Sequence, residues 1–392
     1  METLNILTLS LIGIVFYTFL GYPLILFLLV KIKKAIKPSK TASYCEDFPS
    51  VTLLIAAYNE AEIIEEKIQN SFKLNYPKDK INFVFVTDGS NDETPALVEK
   101  HKNILLLHSD ERKGKTEAIN RAMKFISTDI TVFSDANAML NSDAIINMVK
   151  HYSDPKVACV SGEKRVSIPE KAQASSAGEG LYWKYESKLK KWDSELYSAT
   201  GAAGELFSIR TAFYENVRTD TILDDFIISM TIAKKGYKIA YEPESFALEN
   251  ASESIQEELK RKIRICAGAF QSMYRLLPLL NIFKYGIFTF QYLSHRVFRW
   301  TLAPLALFSL IPISFFGLLY NFEIYLIFLG LQFVFYSFAF LGWKYEKLKT
   351  RKKMFFVPFY FTLMNYSVFA GFFRFFSGNQ NHIWQKAKRL NL

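Results

Sequence analysis

Two kinds of hydrophobic pattern occur along the chain. Residues 5–30 carry no charge and are long enough for a helix that crosses a hydrocarbon core of ~30 Å. Three more uncharged stretches lie near the C-terminus, at 300–322, 324–343 and 354–373. Between them, residues 45–250 show the short apolar runs and polar intervals of a globular domain. The pattern therefore predicts a globular domain held between hydrophobic helices at both ends.

Within the globular region, short apolar runs alternate with helical patterns. The four predicted strands span 51–57, 82–88, 103–109 and 129–135. A polar turn and a helical pattern follow each run, and this βαβ spacing predicts an α/β domain with a doubly wound, Rossmann-like and mostly parallel sheet. Asn59 and Glu62 are spaced as a capping box at the start of the first helix. Ligands of such a sheet bind outside the carboxyl ends of its strands.

Polar side chains stand at three of these strand ends. They are Glu60 after the first strand, Asp88 and Ser90 at the second, and Asp135 and Asn137 at the fourth. Side chains two apart on a strand share a face, so Asp135 and Asn137 can hold a cation together. Each residue alone is also explained as a helix cap or a turn residue. Their recurrence at three strand ends favours a shared binding crevice.

The formal net charge of the chain is +10, and basic residues gather beside the hydrophobic stretches. One group lies within 31–40, after the first stretch, and the other within 344–353, between the last two. Because basic residues mark cytoplasmic loops, we expect both groups and the globular domain in the cytoplasm and the N-terminus outside. A basic chain could also bind nucleic acid, but charges that flank hydrophobic stretches argue against a nucleic-acid partner.

The orientation of the last hydrophobic stretch is left open by the sequence. Four full crossings would put the basic C-terminal tail outside, against the charge rule. Either 354–373 is re-entrant or interfacial, or the rule is not followed.

Residues 252–299 are amphipathic and basic, which predicts helices in the membrane interface, with ordinary core helices as the alternative. The predicted regions are a membrane anchor at 1–40, the globular domain at 45–250, interface helices at 251–299 and a C-terminal transmembrane region at 300–392.

Several common chemical motifs are excluded. The Gly-Lys-Thr at 114–116 has Ser109 where a P-loop needs its first glycine. No predicted strand is followed by G-x-G-x-x-G, and no G-x-S-x-G nucleophile elbow occurs. The cysteines Cys45, Cys159 and Cys266 and the five scattered histidines give no disulfide framework and no zinc site.

A family resemblance rests on motifs in a fixed order. These are VTLLIAAYNE, FVFVTDGSNDET, ERKGKTEAIN and FSDANAML, followed downstream by ILDDFIISMTIAKKGYKIAYEP and RKIRICAG. The set resembles the GT-A fold of family 2 glycosyltransferases, in particular the membrane-integrated bacterial branch that includes synthases of cellulose, hyaluronan and poly-N-acetylglucosamine. The resemblance covers nearly the whole chain. It implies a multi-pass protein of the bacterial inner membrane whose catalytic domain faces the cytoplasm.

The resemblance also implies a donor site. The residues that would bind a nucleotide sugar are Ala57, Tyr58, Glu60, Asp88, Ser90, Lys115, Asp135 and Arg264. Asp88 would contact the base, uracil in most relatives, while Lys115 and Arg264 would lie near the diphosphate. Asp135 and Asn137 stand where the family has its D-x-D metal motif, so Mg²⁺ or Mn²⁺ is the implied cofactor. Because a neutral amide is a weaker ligand for a hard cation, the change to Asn137 weakens the case for metal dependence.

The second half of the chain carries the implied acceptor side. Asp225 stands at the position of the catalytic base, with Asp224 before it; adjacent acids in the first turn of a helix are also common without any catalytic role. Trp183, Gly204 and Glu205 would contact the acceptor. Ile265 replaces the tryptophan with which processive relatives stack the acceptor sugar, and this puts chain elongation in doubt.

These residues lead to three hypotheses. The first is an inverting transferase that moves a sugar from a UDP-linked donor to a polysaccharide or lipid-linked glycan and forms a β-linkage. The second, on the same fold, is transfer to a polyprenyl phosphate. The third is a membrane scaffold that only binds a nucleotide sugar, which uncharged spans and the presence of Asp225 disfavour. Three or four hydrophobic segments make a narrow bundle, so a homo-oligomer or an export partner would have to complete any channel.

Overall fold

A computed structural model shows a sheet domain joined to a group of apolar helices. It describes residues 2–37, 47–167, 174–250, 252, 254–347 and 353–378. The expectations for Lys40, Cys45, the basic residues at 348–352 and the C-terminal tail lie outside the described residues. Cys159 and Cys266 are buried free thiols.

An eight-stranded mixed sheet forms the centre of the domain. Its strands are β1 Val51–Ala57, β2 Ile81–Asp88, β3 Ile104–Ser109, β4 Ile130–Asp135, β5 Met139–Leu140, β6 Val157–Ser167, β7 Leu206–Arg210 and β8 Lys238–Asn250. The spatial order is β3-β2-β1-β4-β7-β6-β8-β5. The first four strands are parallel and lie within one residue of the predicted bounds. The predicted α/β fold with a largely parallel sheet is confirmed.

The central strands are apolar along their length because both faces of the sheet are covered. Leu53 and Ile55 of β1 pack with Val132 of β4 in one core, while Leu54 and Phe133 belong to the core on the opposite face. Parallel strands covered on both sides require such continuous apolar runs rather than alternation. The covering helices of the domain are α3 Ile64–Phe72, α4 Thr94–Glu99, α5 Lys115–Met123, α6 Ala144–Val149, α7 Ala174–Leu196 and α8 Asp224–Lys234, with α1 and α2 preceding them.

The predicted capping box at Asn59 is wrong. The helix after β1 begins at Ile64, and its N-cap residue, Ile63, makes no side-chain cap. Asn59 instead adopts a left-handed conformation with φ of 52°. Its amide donates to Asn91 Oδ1 at 2.7 Å and accepts from the Asn91 N–H at 3.0 Å. A cross-loop partner therefore replaces the local cap, and it ties together the loops that follow β1 and β2.

Strand β7 determines what lies beside the end of β4. It runs antiparallel to β4 with Leu206 opposite Ser134, so the preceding loop, 200–205, arrives next to Asp135. The Ser134 hydroxyl donates to the carbonyl of Glu205 at 3.1 Å and fixes this approach. The sheet thus brings two distant segments of the chain to one edge.

The remaining helices lie outside the sheet domain, and most of them are apolar. They are α1 Glu2–Phe16, α2 Tyr22–Ile36, α9 Ile255–Arg275, α10 Ile282–Tyr285, α11 Ile287–Tyr292, α12 Phe298–Trp300, α13 Leu302–Gly317, α14 Phe322–Lys347 and α15 Lys353–Phe376. Helices α1 and α2 continue through a π-helical turn at Tyr17–Gly21 into one helix of 35 residues. By length and composition, Glu2–Ile36, Phe322–Glu346 and Met354–Phe376 could each cross a membrane. Ile287–Trp300 and Leu302–Gly317 would be a fourth candidate if this pair, bent by 42°, is one span.

Helix α15 packs along the amphipathic α9. The Tyr360 hydroxyl donates to Glu258 Oε1 at 3.2 Å, and Ser367 contacts Cys266 two turns further along both helices. Gly371 allows the closest approach, since a Cβ there would lie 2.4 Å from Cys266 Cβ. The last hydrophobic segment is thereby packed against α9, and its orientation relative to a membrane stays a prediction.

We expect Gly371→Ala to destabilise the fold. The added methyl group would also lie 2.8 Å from the backbone nitrogen of Ala267, so α9 and α15 must separate. Overpacking of this kind costs about 1–3 kcal/mol, which thermal unfolding of the detergent-purified protein would show as a lower Tm. Gly330→Ala in α14 is the matched control, because nothing lies within 4 Å of a Cβ there. Equal Tm values for the two variants would contradict the proposed close packing.

Candidate active site

An open pocket lies where β1 and β2 end and α5 begins. Its lining residues are Ala56, Ala57, Tyr58, Val86, Asp88, Arg112, Gly114, Lys115 and Ala118. Four of the predicted donor residues, Ala57, Tyr58, Asp88 and Lys115, are therefore gathered in one cavity. The Arg112 guanidinium lies over the Tyr58 ring, 3.7 Å from its centre, and forms one wall. The sequence analysis quoted Arg112 within a motif but gave it no role, because its stacking partner Tyr58 lies in a different loop.

Asp88 shapes this pocket from beneath. Its carboxylate accepts hydrogen bonds from the backbone N–H of Lys113 at 3.0 Å and of Gly114 at 2.6 Å. Gly114 has a φ of 97°, and Gly89 (φ of 67°) lies so close to Arg112 that a Cβ would be 2.4 Å from Arg112 Cβ. The loop before α5 is thus folded onto the end of β2. A contact from Asp88 to a nucleotide base stays a prediction.

Glu60 and Ser90 hold the strand-end loops and do not line the pocket. The Ser90 hydroxyl accepts from the backbone N–H of Asn59 at 3.2 Å. The backbone N–H of Glu60 donates to Thr94 Oγ1 at 2.8 Å, and the Glu60 side chain is buried. Both residues fix the shape of the pocket rim, and their predicted contact with the donor is untested.

Lys115 connects the ends of β4 and α8. Its ammonium lies 2.6 Å from Asp135 Oδ1 and 3.6 Å from Asp224 Oδ2. Burial lowers the pKa of Lys115, but the charges of Asp135 and Asp224 outweigh it and raise the pKa. Burial, together with the charges of Glu205 and Glu249, raises the pKa of Asp135 even though the charge and hydrogen bond of Lys115 lower it. Because its carboxylate is paired with Lys115, and the next helix starts with Asp143 at its N-cap, Asp135 is not a helix cap.

Asp224 and Asp225 are the first two residues of α8. Burial raises the pKa of Asp225 to about 7, with the charge of Asp224 acting in the same direction. Asp225 faces the loop 200–205, and a Cβ at Gly204 would lie 3.3 Å from Asp225 Oδ2. The glycine therefore lets the loop approach this carboxylate closely. A buried carboxyl group with a raised pKa is a candidate general base.

A buried network ties Asn137 to the same loop. The Asn137 amide donates to Glu249 Oε1 at 3.1 Å, and Lys164 pairs with both Glu249 and Glu205. Burial raises the pKa of Glu205, but Lys164 outweighs it and holds the pKa far below its usual range. The sequence analysis missed Lys164 and Glu249. A lysine inside the otherwise buried strand β6 is the signal that could have pointed to a paired charge.

The donor atoms at Asp135 and Asn137 fit a hard divalent cation. Because the Asn137 amide nitrogen is bonded to Glu249, its oxygen remains as the ligand atom. Mg²⁺ and similar cations are commonly held by one or two protein oxygens together with substrate phosphates. Among the described residues no group of three or more His, Cys, Asp or Glu side chains could hold a metal. The set therefore fits a cation whose remaining ligands come from a bound diphosphate.

Arg264 and Trp183 approach from α9 and α7. Burial and the neighbouring Arg261 lower the pKa of Arg264, while the charges of Asp224 and Asp225 oppose this. In the part of the chain that the structure describes, Arg264 makes no ion pair. The Trp183 ring lies between the ammonium groups of Lys164 and Lys262, 5.2 and 5.3 Å from its centre. Arg264 thus lies near the carboxylates of Asp224 and Asp225. Trp183 lies beside Lys164, which pairs with Glu205.

Comparison with known proteins identifies the domain. Residues 52–218 match the model of glycosyl transferase family 2. This part of the chain is therefore similar to the family 2 glycosyltransferases. The poly-beta-1,6-N-acetyl-D-glucosamine synthase of Staphylococcus aureus is 27% identical over 241 residues, 59% of this chain and 57% of the relative. The synthase of Staphylococcus epidermidis is 23% identical over 276 residues, 67% of this chain and 65% of the relative. The chain thus spans less than two thirds of the length of these relatives.

The fold has a solved counterpart over almost its whole length. The mannosyltransferase PcManGT from Pyrobaculum calidifontis, solved in complex with GDP-Man and Mn²⁺, superimposes with a TM-score of 0.72 at 22% identity. The match covers 96% of this chain and 100% of that chain, so it includes the apolar helices as well as the sheet domain. The predicted GT-A fold is confirmed.

We expect Asp88→Asn to loosen the pocket floor. The new amide would present its own N–H groups to the N–H groups of Lys113 and Gly114, and the lost charged acceptor costs about 1–3 kcal/mol. Hydrogen exchange of residues 110–116 should rise, and Tm should fall. Asp110→Asn is the matched control, because its side chain is fully exposed and bonds only His108. Unchanged exchange in Asp88→Asn would show that the carboxylate does not hold the loop.

Proposed function

We propose that the protein is an inverting membrane glycosyltransferase that moves a sugar from a nucleotide sugar, UDP-linked, to a growing polysaccharide or lipid-linked glycan and forms a β-linkage. The observation that carries the proposal is the placement of Lys115, which links Asp135 and Asp224 at the mouth of the pocket. The residues proposed to bind the diphosphate and the helix that carries the proposed base therefore meet at Lys115. The relatives named as poly-beta-1,6-N-acetyl-D-glucosamine synthases support a glycan product.

Donor binding would use the pocket at the end of β1 and β2. Its apolar floor and the Tyr58–Arg112 wall suit a planar base. Lys115 and Arg264 are the cations beside the acidic groups, so they would stabilise the charge that develops on the leaving diphosphate. Lys115 would then exchange part of its pairing with Asp135 for the phosphate oxygens.

Asp135 and Asn137 would hold a divalent cation, Mg²⁺ or Mn²⁺. When bound, the ion neutralises negative charge on the diphosphate and so helps it to leave. The fold counterpart PcManGT was solved with GDP-Man and Mn²⁺, which supports a metal here. Glu249 orients the Asn137 amide for this role through its hydrogen bond.

Asp225 would act as the general base. The acceptor hydroxyl oxygen attacks the anomeric carbon, the bond from that carbon to the diphosphate breaks, and the hydroxyl proton passes to Asp225. Because attack comes from the face opposite the leaving group, an α-linked donor gives a β-linked product. The acceptor would lie beside the loop that carries Gly204 and Glu205, with Trp183 close to Lys164, the partner of Glu205.

We propose that the catalytic domain faces the cytoplasm of a bacterial cell from the inner membrane. The basic residues next to the candidate spans support this orientation. A homo-oligomer or an export partner would complete a path for a secreted glycan. Ile265, in place of an aromatic residue, agrees with transfer of few sugars rather than long elongation.

The decisive experiment measures nucleotide release. Detergent-purified protein is supplied with a panel of UDP- and GDP-sugars, with Mg²⁺, with Mn²⁺ and with a chelator. We expect release from one donor, dependent on the metal, and a loss of about 100-fold or more in Asp225→Asn, because a general base contributes about 10²–10⁴ in rate. Turnover that is unchanged in Asp225→Asn would overturn the assignment of the base.

The pH dependence of kcat/KM gives an independent test. Since Asp225 must be ionised to accept a proton and its pKa is raised to about 7, activity should fall as the pH decreases below neutrality. The negative charge of Asp224 raises that pKa, so Asp224→Asn should move the acid limb to lower pH. Asp220→Asn is the control, since Asp220 is half-exposed and pairs with Arg275 instead. If the wild type, Asp224→Asn and Asp220→Asn lose activity over the same acidic pH range, the charge of Asp224 does not raise the pKa of Asp225.

A further inference from the structure

One face of α9 follows the chain segment that leads into α8. Gly268, Gln271 and Arg275 stand three and four residues apart on α9 and so share this face. The segment is 220–223, and it ends where α8 begins at Asp224. Helix α9 therefore borders the residues that come directly before the two acids of α8.

The contacts along this face follow the order of the segment. Arg275 donates to the Asp220 carboxylate at 2.8 Å and to the Thr221 hydroxyl at 2.7 Å. A turn and a half earlier on α9, a Cβ at Gly268 would lie 2.7 Å from the side chain of Leu223. Because earlier residues of α9 meet later residues of the segment, the two run antiparallel.

Gln271, between these two positions, bonds the main chain of the segment. Its side-chain oxygen accepts from the N–H of Ile222 at 3.0 Å, and its nitrogen donates to the carbonyl of Asp220 at 2.8 Å. A neighbouring strand would supply these two kinds of bond in a sheet, but residues 221–223 belong to no helix or strand. One side chain therefore satisfies a main-chain donor and a main-chain acceptor of an irregular segment.

Burial makes both bonds necessary. Thr221 and Ile222 are 3% and 7% exposed, so water has little access to the peptide groups around them. Buried N–H and C=O groups are nearly always paired, because an unpaired group loses its hydrogen bonds to water without a replacement. Helix α5 also reaches the segment, since the Thr116 hydroxyl donates to the carbonyl of Thr221 at 3.4 Å. That bond uses a different carbonyl, so it does not serve the groups that Gln271 bonds.

The start of α8 has no local cap that could replace this contact. Its N-cap residue is Leu223, whose side chain is apolar and makes no cap. Polar N-cap side chains usually fix the start of a helix, so the position of α8 depends here on what holds the segment before it. Asp225 is the second residue of α8, and a shift of 220–222 therefore moves its carboxylate.

We propose that Gln271 is a positioning residue for the base. By bonding the main chain of 220–222, it fixes the start of α8 and with it the distance from the Asp225 carboxylate to the accepting hydroxyl. The proposal rests on the proposed function, since it names what holds the base of that reaction in place. Gln271 lies outside the set of described residues that line the donor pocket, so it acts on transfer rather than on donor binding.

The first test compares the kinetics of Gln271→Met and Gln256→Met in the detergent-purified full chain. Methionine keeps the length of the side chain and removes both hydrogen bonds. Gln256 is the matched control, because it is exposed in the first turn of the same helix. With the donor that the wild type turns over, we expect the kcat of Gln271→Met to fall about tenfold or more and its KM for the donor to stay within about twofold.

The rates are divided by the number of sites that bind the nucleoside diphosphate of that donor, so that a loss of folded protein does not imitate a lower kcat. A kcat equal to that of Gln256→Met, or a higher KM with an unchanged kcat, would overturn the proposal. Gln271→Glu keeps an acceptor for the Ile222 N–H and loses the donor to the Asp220 carbonyl. It is the second variant if methionine prevents folding, and the same fall in kcat is expected.

Hydrogen exchange tests the contact without any turnover. The N–H of Ile222 loses its acceptor in Gln271→Met, so its exchange should become about tenfold faster or more. In Gln256→Met it should exchange as in the wild type. Equal exchange of Ile222 in the two variants would show that Gln271 does not hold the segment.

The two measurements keep this proposal apart from the proposed function. Faster exchange of Ile222 in a chain that turns over no nucleotide sugar would overturn the proposed function and leave the contact of Gln271 with 220–222 standing. Nucleotide release that requires Asp225 but is equal in Gln271→Met and the wild type would overturn the role of Gln271 and leave the proposed function.

Discussion

The ion pair between Lys115 and Asp135 is the interaction on which the site depends, because it lies where one strand and two helices meet. Asp135 closes β4, Lys115 opens α5, and Asp224, the second acid near Lys115, opens α8. The loop that delivers Lys115 is in turn held by Asp88 through backbone hydrogen bonds. A buried ion pair is costly to desolvate and strongly disrupted when one partner is lost, so it specifies the arrangement more than it stabilises it. This junction joins the donor pocket to the base-bearing helix.

The helices beyond the sheet domain reach this junction through close packing as well as through polar contacts such as the ion pair of Arg275 with Asp220. Gly268 of α9 lies against Ile222 and Leu223, the two residues before Asp224, so closely that a Cβ would be 2.8 and 2.7 Å from their side chains. Directly before Gly268, Cys266 and Ala267 of α9 contact Gly371 of α15. A chain of small residues therefore links the last apolar helix to the start of α8, and the membrane-facing part of the protein helps to set where the acids stand.

The sequence predicted those parts of the structure that local pattern determines. The apolar runs of β1 to β4 predicted the parallel half of the sheet, and the polar residues at the strand ends led to Asp135. The family resemblance supplied Lys115. Partners contributed by distant elements could not be predicted. Glu249 meets Asn137 across 112 positions and Arg112 covers Tyr58 across a loop, so neither has a local signal. The capping box at Asn59 failed for the same reason, since Asn91 is a tertiary partner that competes with the local one.

The contact between Asn137 and Glu249 constrains which side chains can occupy the two positions together. The amide donates a hydrogen to the carboxylate at 3.1 Å, whereas two carboxylates at that separation would repel one another and one would have to take up a proton. The neutral residue at 137 and the acid at 249 therefore depend on each other. Among proteins that share this fold, those with a second acid in the metal motif should carry an uncharged residue opposite it, so the two positions should covary.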